Sequence, residues 1–261
     1  MNNWKLISRD FIYQVASKLS KNVSTRFTVL CYHAFDNSKW RFSVSLKQLD
    51  NQLRIIQSQG DFISVKDLSA KWNKSVKNQF LITIDDGYTN VLTTVKVFEK
   101  YGVKPLLFVI ADSKNVNRQE LANNNELLTT AQIKSLIKKG WSIGCHSLTH
   151  ADFSNLSADK LEAEILDSKK ILEKKLGVKI EYFAYPKGAY NQAVIDTVKK
   201  AGYKMAFTMD DSQIITTTDK LKIPRVGVDK THKNNFENIY SVGSVIFRQA
   251  VKASPLKGAI L

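Results

Sequence analysis

From residue 27 onward the chain alternates short apolar runs with stretches whose apolar residues recur at helical spacing, and no linker rich in Pro, Gly or Ser interrupts the pattern. Phe27 to Tyr32 reads as a strand, Leu46 to Gln59 as a helix stopped by Gly60, and Phe80 to Ile84 as a fully buried strand. Thr89 to Tyr101 reads as a helix with Gly102 at its end, and Pro105 to Ile110 as the next strand. Thr129 and Gln132 form a capping-box pattern opening a helix to Lys139, followed by a strand from Trp141 to Cys145. Ser157 can cap a long helix ending near Leu176 and Gly177, and Asn191 another ending before Gly202. Ile180 to Tyr185, Met205 to Met209 and Ile223 to Val228 supply the remaining strands. Repeated βα units predict a parallel sheet with helices outside, either open and doubly wound or closed into a barrel. At 261 residues without a linker, one domain is favoured.

Composition narrows the class. The 39 Lys and Arg exceed the 24 Asp and Glu by 15, which suggests an anionic partner without specifying a fold. The lysines are scattered in ones and twos and lack interleaved aromatics, so nucleic acid is not the expected partner. The two cysteines, Cys31 and Cys145, belong to no CxxC pair, which argues against a disulfide framework and a thiolate zinc site. The longest apolar run, Leu106 to Ala111, is far too short to span a bilayer. Arg9, Asp10, Gln14 and Lys18 break every candidate apolar core of an export signal, so a cytoplasmic site, at the inner face of the membrane, is expected. Trp4, Ile7, Phe11, Val15 and Leu19 instead follow helical spacing beside Lys5, Arg9, Lys18 and Lys21. That segment is either a terminal helix packed on the domain or a basic amphipathic helix on an anionic membrane surface.

In parallel βα folds functional groups collect where strands end. Phe80–Ile84 runs into Asp85-Asp86-Gly87, Trp141–Cys145 into His146-Ser147-Leu148-Thr149-His150, and Ile180–Ala184 into Tyr185-Pro186-Lys187-Gly188. Two carboxylates at the end of a buried strand require a cation nearby. Strand alternation would turn one toward a metal and the other toward a reacting group; the alternative is Asp86 capping the helix after Gly87. The spacing of His146 and His150 would place both rings on one side of a helical turn, where Asp86, His146 and His150 make a site with two histidines and one carboxylate. The third segment is by itself a turn signal that can hold a backbone N–H outward.

Together the three segments resemble the polysaccharide deacetylases, the NodB-homology group or carbohydrate esterase family 4. Thr83-Ile84-Asp85-Asp86-Gly87 is similar to the family's TFDDG, His146–His150 to its H-[ST]-x-x-H, and Phe183–Gly188 to its R-x-P-Y-G. Leu30-Cys31-Tyr32-His33 and the stretch from Phe42 to Leu68 are similar to poly-N-acetylglucosamine N-deacetylases. The resemblance implies a single-domain distorted (β/α) barrel of about seven parallel strands over 28–235, flanked by an amphipathic extension at 1–27 and a helical one at 236–261. It also implies one divalent metal per chain, usually zinc, on Asp86, His146 and His150. Asp85 corresponds to the catalytic base and Lys187 to the donor of an oxyanion-hole N–H; Tyr185, Pro186, Gly188 and Arg225 are expected to contact substrate.

Two departures stand out. Ala184 replaces the family's Arg, leaving Asp85 without its usual partner, and Ile223-Pro224-Arg225-Val226 stands where many members carry Leu-x-His. The general acid is therefore open: His33 either supplies it or has a structural hydrogen-bonding role, and His232 is a weaker candidate. The implied activity is hydrolysis of the N-acetyl group of an amino sugar in an oligosaccharide, polysaccharide or lipid-linked glycan, with a phosphate-bearing substrate suiting the basic charge. A carbohydrate O-acetyl esterase and a non-catalytic glycan-binding relative are the alternatives.

Overall fold

The computed structural model describes residues 27–71, 78–116, 121, 125–211, 214, 218–232 and 236–240. The amphipathic helix expected within 1–27 lies outside the described residues apart from Phe27, as does the 236–261 extension apart from a tight turn at Phe236–Tyr240.

The strands are β1 (Phe27–Tyr32), β2 (Asp61–Phe62), β3 (Gln79–Ile84), β4 (Leu106–Val109), β5 (Ser142–Cys145), β6 (Tyr182–Ala184), β7 (Met205–Phe207) and β8 (Val226–Gly227). The helices are α1 (Leu46–Gln59), α2 (Val65–Lys71), α3 (Val95–Lys100), α4 (Thr130–Lys138), α5 (Ala158–Glu162), α6 (Ser168–Leu176) and α7 (Gln192–Lys200). Every strand pairing is parallel, in the order β7-β6-β5-β4-β3-β1-β8, with β2 beside the start of β3. The expected single α/β domain with a distorted barrel of seven parallel strands is what forms, and two-residue β2, too short to show alternation, adds to it. The segment around β8 draws the ends together, because Ile223 bridges Phe207 of β7 while Val226 pairs with Leu30 of β1.

Every residue of β1 and β3 is buried, as expected for strands covered on both faces. Alternate residues separate into two cores. Val29, Leu81, Leu106, Phe108, Met205 and Phe207 fill the inside of the curl. Leu30, Ile82, Leu107, Ile143, Phe183 and Val226 meet the helices through Leu53, Phe98, Leu136, Ile165 and Val198. A one-residue slip would exchange these sets, so the period of two fixes the register.

The predicted helix boundaries hold where caps fix them. Thr129 and Gln132 form both bonds of a capping box on α4, and the Asn191 side chain accepts from the Val194 N–H on α7. They fail where side chains compete with the backbone. The predicted Thr89 to Tyr101 helix begins as a 3-10 turn, Thr89–Thr94, in which the Thr93 and Thr94 hydroxyls donate to the carbonyls of Asn90 and Val91 at 2.7 and 2.6 Å. The long helix expected from Ser157 is interrupted by a π-helical segment, Ala163–Asp167, between α5 and α6, and the Ser157 side chain makes no cap bond.

Gly144 of β5 faces the inner core, where a Cβ would lie only 2.4 Å from Cδ1 of Phe108. Gly144→Ala is expected to lower stability by about 1–3 kcal/mol in urea denaturation, the range for overpacked cores. An unchanged midpoint would show that Phe108 is free to move aside.

Candidate active site

The inward parity that buries Leu81 continues through Thr83 to Asp85, which leaves the end of β3 inside the curl. Opposite it stands Arg225, 1% exposed, between the β7-bridging Ile223 and the β1-pairing Val226. Its Nη1 and Nη2 donate to Asp85 Oδ1 and Oδ2 at 2.7 and 2.8 Å, and its Nε donates to the Thr208 carbonyl at 3.2 Å. The guanidinium lies 5.5 Å above the Phe108 ring, the ring for which Gly144 makes room. The Cys31 thiol donates to Asp85 Oδ2 at 3.4 Å. Burial alone would raise the Asp85 carboxyl, but Arg225 and then His146 outweigh it and hold the group well below the usual carboxylate range. Arg225, expected at the substrate, is instead the buried partner of Asp85. The cation missing at Ala184 of β6 thus arrives from the segment that leads into β8.

Asp86 does not follow strand alternation. At φ 69° it takes the left-handed conformation, and the turn carries its carboxylate to the same side as that of Asp85. Nor does it cap the following helical turn, whose cap position is Tyr88. His146 and His150 do not share a helical turn either: they lie on a loop in which Ser147 and His150 are also left-handed, at φ 66° and 63°. The Ser147 hydroxyl accepts the His150 N–H at 2.9 Å.

This loop brings His146 Nε2 to 3.4 Å and His150 Nε2 to 3.6 Å from Asp86 Oδ1. Those separations exceed a hydrogen bond but match the roughly 3.4 Å edge of a tetrahedron with ligands about 2.1 Å from a central ion. His146 Nδ1 lies 2.9 Å from the Ala184 carbonyl, which assigns the proton to Nδ1 and leaves the Nε2 lone pair for a cation. Burial penalises charge on all three groups, yet the close approach of His146, together with His33 and His150, still holds Asp86 below its ordinary pKa. Burial and His146 push His150 down to about 4, so it is a neutral ligand at neutral pH. The donors thus suit a small divalent ion. Cys31, His33 and Asp85 also approach within 4.8 Å of one another, but there the Arg225 guanidinium already occupies both carboxylate oxygens.

Sequence reasoning missed Glu164, which lies in the π-helical segment and is 7% exposed. Its Oε2 accepts from the backbone N–H groups of Leu148 and Thr149, both at 3.0 Å, and its Oε1 from the Thr149 hydroxyl at 2.5 Å. The extra residue of the π turn marks the place where this carboxylate reaches back to the histidine loop. An acidic residue within a predicted helix gives no warning of such a role.

A cavity of about 350 Å3 opens over these groups, lined by His33, Trp40, Phe42, Asp85, Asp86, Leu121, His146, His150, Tyr185, Lys187, Gly188 and Met209. Lys187, in the left-handed region at φ 56°, sits in the tight turn Pro186–Gly188. Pro186 is buried beneath this turn and does not reach the cavity, and neither does Arg225. His33 lies 5.1 Å from the Phe42 ring and 5.9 Å from that of Trp40, and burial lowers its pKa. His232 is elsewhere: its Nδ1 accepts the Asp229 N–H at 3.1 Å beside a separate cleft near α1. Asp36 ties the rim together, accepting from the Ser38 N–H at 2.8 Å and from the Asn90 and Asn125 amides at 2.8 and 2.9 Å.

Comparison with known proteins agrees with this geometry. The polysaccharide deacetylase family model matches residues 73–206. The chain belongs to the polysaccharide deacetylase family. Within it, YxkH of Bacillus subtilis (strain 168) is 27% identical over 190 residues, 71% of this chain and 65% of YxkH, so the chain spans just under two thirds of that relative. The poly-beta-1,6-N-acetyl-D-glucosamine N-deacetylase of Staphylococcus aureus (strain MRSA252) is 25% identical over 198 residues, 71% of this chain and 67% of that enzyme. Among solved structures, the polysaccharide deacetylase BC0361 from Bacillus cereus superposes with a TM-score of 0.68 at 25% identity, covering 82% of this chain and 68% of that one. IcaB from Ammonifex degensii shares the fold, with a TM-score of 0.71 at 23% identity over 85% of this chain and 97% of that one.

Glu164→Ala strips the acceptor from two backbone N–H groups and is expected to weaken zinc binding about 10–100-fold in competition with a chromophoric chelator, with Glu164→Gln recovering most of the loss. Equal affinities in all three proteins would remove the carboxylate from this role. Burial alone would raise the Asp36 carboxyl, but its hydrogen bonds outweigh it and lower it to about 2. A depressed carboxyl contributes stability above its unfolded pKa of about 3.9 that is lost as pH falls through the folded value. The gap in urea midpoint between wild type and Asp36→Ala is therefore expected to be constant above pH 5 and to shrink between pH 4 and 2; a gap independent of pH would contradict it.

Proposed function

We propose that the protein hydrolyses the N-acetyl group of an amino-sugar residue in a poly-N-acetylglucosamine-type glycan, releasing acetate and leaving a free amine. The observation that carries this reading is the convergence of Asp86, His146 and His150 on one point, beside a carboxylate held by Arg225. Their nitrogen-rich donor set suits zinc. When bound, such an ion brings the pKa of a coordinated water near 7 and polarises an acyl oxygen.

The chain's own groups divide the remaining work. Asp85 takes the proton of the attacking water, and Arg225 keeps it ionised and fixed in orientation for that step. The Lys187 backbone N–H donates to the oxygen on which negative charge develops, a contribution of about 3 kcal/mol where comparable donors have been removed. His33 delivers a proton to the departing nitrogen; its lowered pKa makes it a willing donor once protonated. Trp40 and Phe42 exclude water and offer apolar faces to the acetyl methyl and the sugar ring. Tyr185 and Gly188 complete the wall on the opposite side. The name of the Staphylococcus aureus relative supports an N-acetylglucosamine polymer as the substrate. The excess of 15 positive charges supports a glycan that bears phosphate or is linked to lipid.

The test is acetate release from β-1,6-linked N-acetylglucosamine oligosaccharides. Chelation is expected to abolish it, zinc to restore it, and Asp85→Asn to lower kcat by about 10²–10⁴ with zinc still bound. Oligosaccharide binding without acetate release under any divalent metal would make the protein a glycan binder, and release from O-acetyl sugars alone would make it an esterase.

A further inference from the structure

We infer that the cavity on the far side of Gly188 is a second glycan subsite, seating the pyranose ring next to the one being deacetylated, with Asp210 as its anchoring acceptor. The assignment of the first ring rests on the hydrolase reading above. The second cavity has a volume of about 600 Å3 and is walled by Phe153, Ser154, Ala189, Tyr190, Asn191 and Asp210, together with Gly188. Gly188 also lines the metal cavity, so the two share one wall residue.

Two loops contribute to both chambers. The loop after β6 gives Tyr185 and Lys187 to the first and Tyr190 and Asn191 to the second, and the loop after β7 gives Met209 to the first and Asp210 to the second. They touch at Gly188, where a Cβ would come within 2.7 Å of Met209 Cβ and where φ is +70°. The partition is therefore a single residue without a side chain, over which a linear glycan can pass.

The lining has the chemistry of a sugar site. Tyr190 donates its hydroxyl to Asp210 Oδ2 at 2.6 Å, which orients the carboxylate, and Asp210 Oδ1 makes no hydrogen bond among the described residues. A half-exposed carboxylate oxygen held in this way accepts from sugar hydroxyls or from an amine with charge-assisted strength. The half-buried Tyr190 ring lies 5.2 Å from the ring of the fully buried Tyr185 at 35°, which backs it, and its open face can meet the C–H face of a pyranose. Asp210 is the charged residue of this lining, which suits a neutral or amine-bearing sugar and opposes a phosphate at this position.

Zinc-loaded wild type and Asp210→Ala are compared on a β-1,6-linked N-acetylglucosamine tetrasaccharide and on 4-nitrophenyl acetate, which is too small to leave the metal cavity. Asp210→Ala is expected to raise KM for the tetrasaccharide about tenfold with little change in kcat, so that the ratio of tetrasaccharide to ester kcat/KM falls about tenfold. An unchanged KM, or a parallel loss on both substrates, overturns the subsite. Ala189→Trp fills the cavity from its rim and is expected to shift the ratio in the same direction, which covers the case in which Asp210→Ala does not fold. If wild type releases no acetate from the tetrasaccharide, the hydrolase reading fails by itself. The subsite is then decided by the tetrasaccharide Kd from tryptophan fluorescence, where about tenfold weakening in Asp210→Ala supports it and an equal Kd overturns it.

Discussion

The bidentate pair between Arg225 and Asp85, almost wholly buried within the curled sheet with Asp85 at the cavity wall, is the interaction on which the arrangement of the site depends. Removing one partner of such a pair strands a charge in a poor solvent, at a cost of about 3–5 kcal/mol, whereas an apolar replacement of both can be neutral or stabilising. Stability alone therefore gives no reason to place the pair here. Its consequences for the site do. The guanidinium joins the end of β3 to the segment that bridges β7 and β1, and it fixes both oxygens of the carboxylate beside the candidate metal ligands. Phe108 beneath it and Gly144 beneath Phe108 connect its position to close packing in the inner core.

Above this pair the chain accepts local strain. Among the described residues, Asp86, Ser147, His150, Lys187 and Asp211 occupy the left-handed region without being glycine, and the first four belong to the site. Each such conformation costs on the order of 1–3 kcal/mol and persists only where neighbours over-determine it. Here the neighbours can be named. Glu164 holds the backbone of Leu148 and Thr149, Ser147 holds His150, and the Ala184 carbonyl holds the ring of His146. These bonds keep the donor atoms of Asp86, His146 and His150 at separations that suit an ion.

The sequence made the scaffold legible because strands of period two and helices of period 3.6 leave different apolar patterns, and caps such as Thr129–Gln132 end them with identifiable bonds. It also led to Asp85, Asp86, His146 and His150, since polar residues directly after buried strands are conspicuous. It misplaced Arg225 because which strand end faces which across a barrel is a property of closure, and β8 has only two paired residues to announce it. It missed Glu164 because a π-helical insertion leaves no periodic signature over five residues. The local geometry of Asp86 and of the histidine loop was hidden for a related reason: neither is glycine, so nothing in their identity signals a positive φ.

The most direct test of the metal centre is X-ray absorption at the zinc edge on the stoichiometrically loaded protein. The first shell is expected to hold nitrogen and oxygen alone at about 2.0–2.1 Å, with the imidazole signature of two histidines that His146→Ala reduces to one. A sulfur scatterer near 2.3 Å would place the ion on Cys31 instead, beside Asp85, and would contradict it.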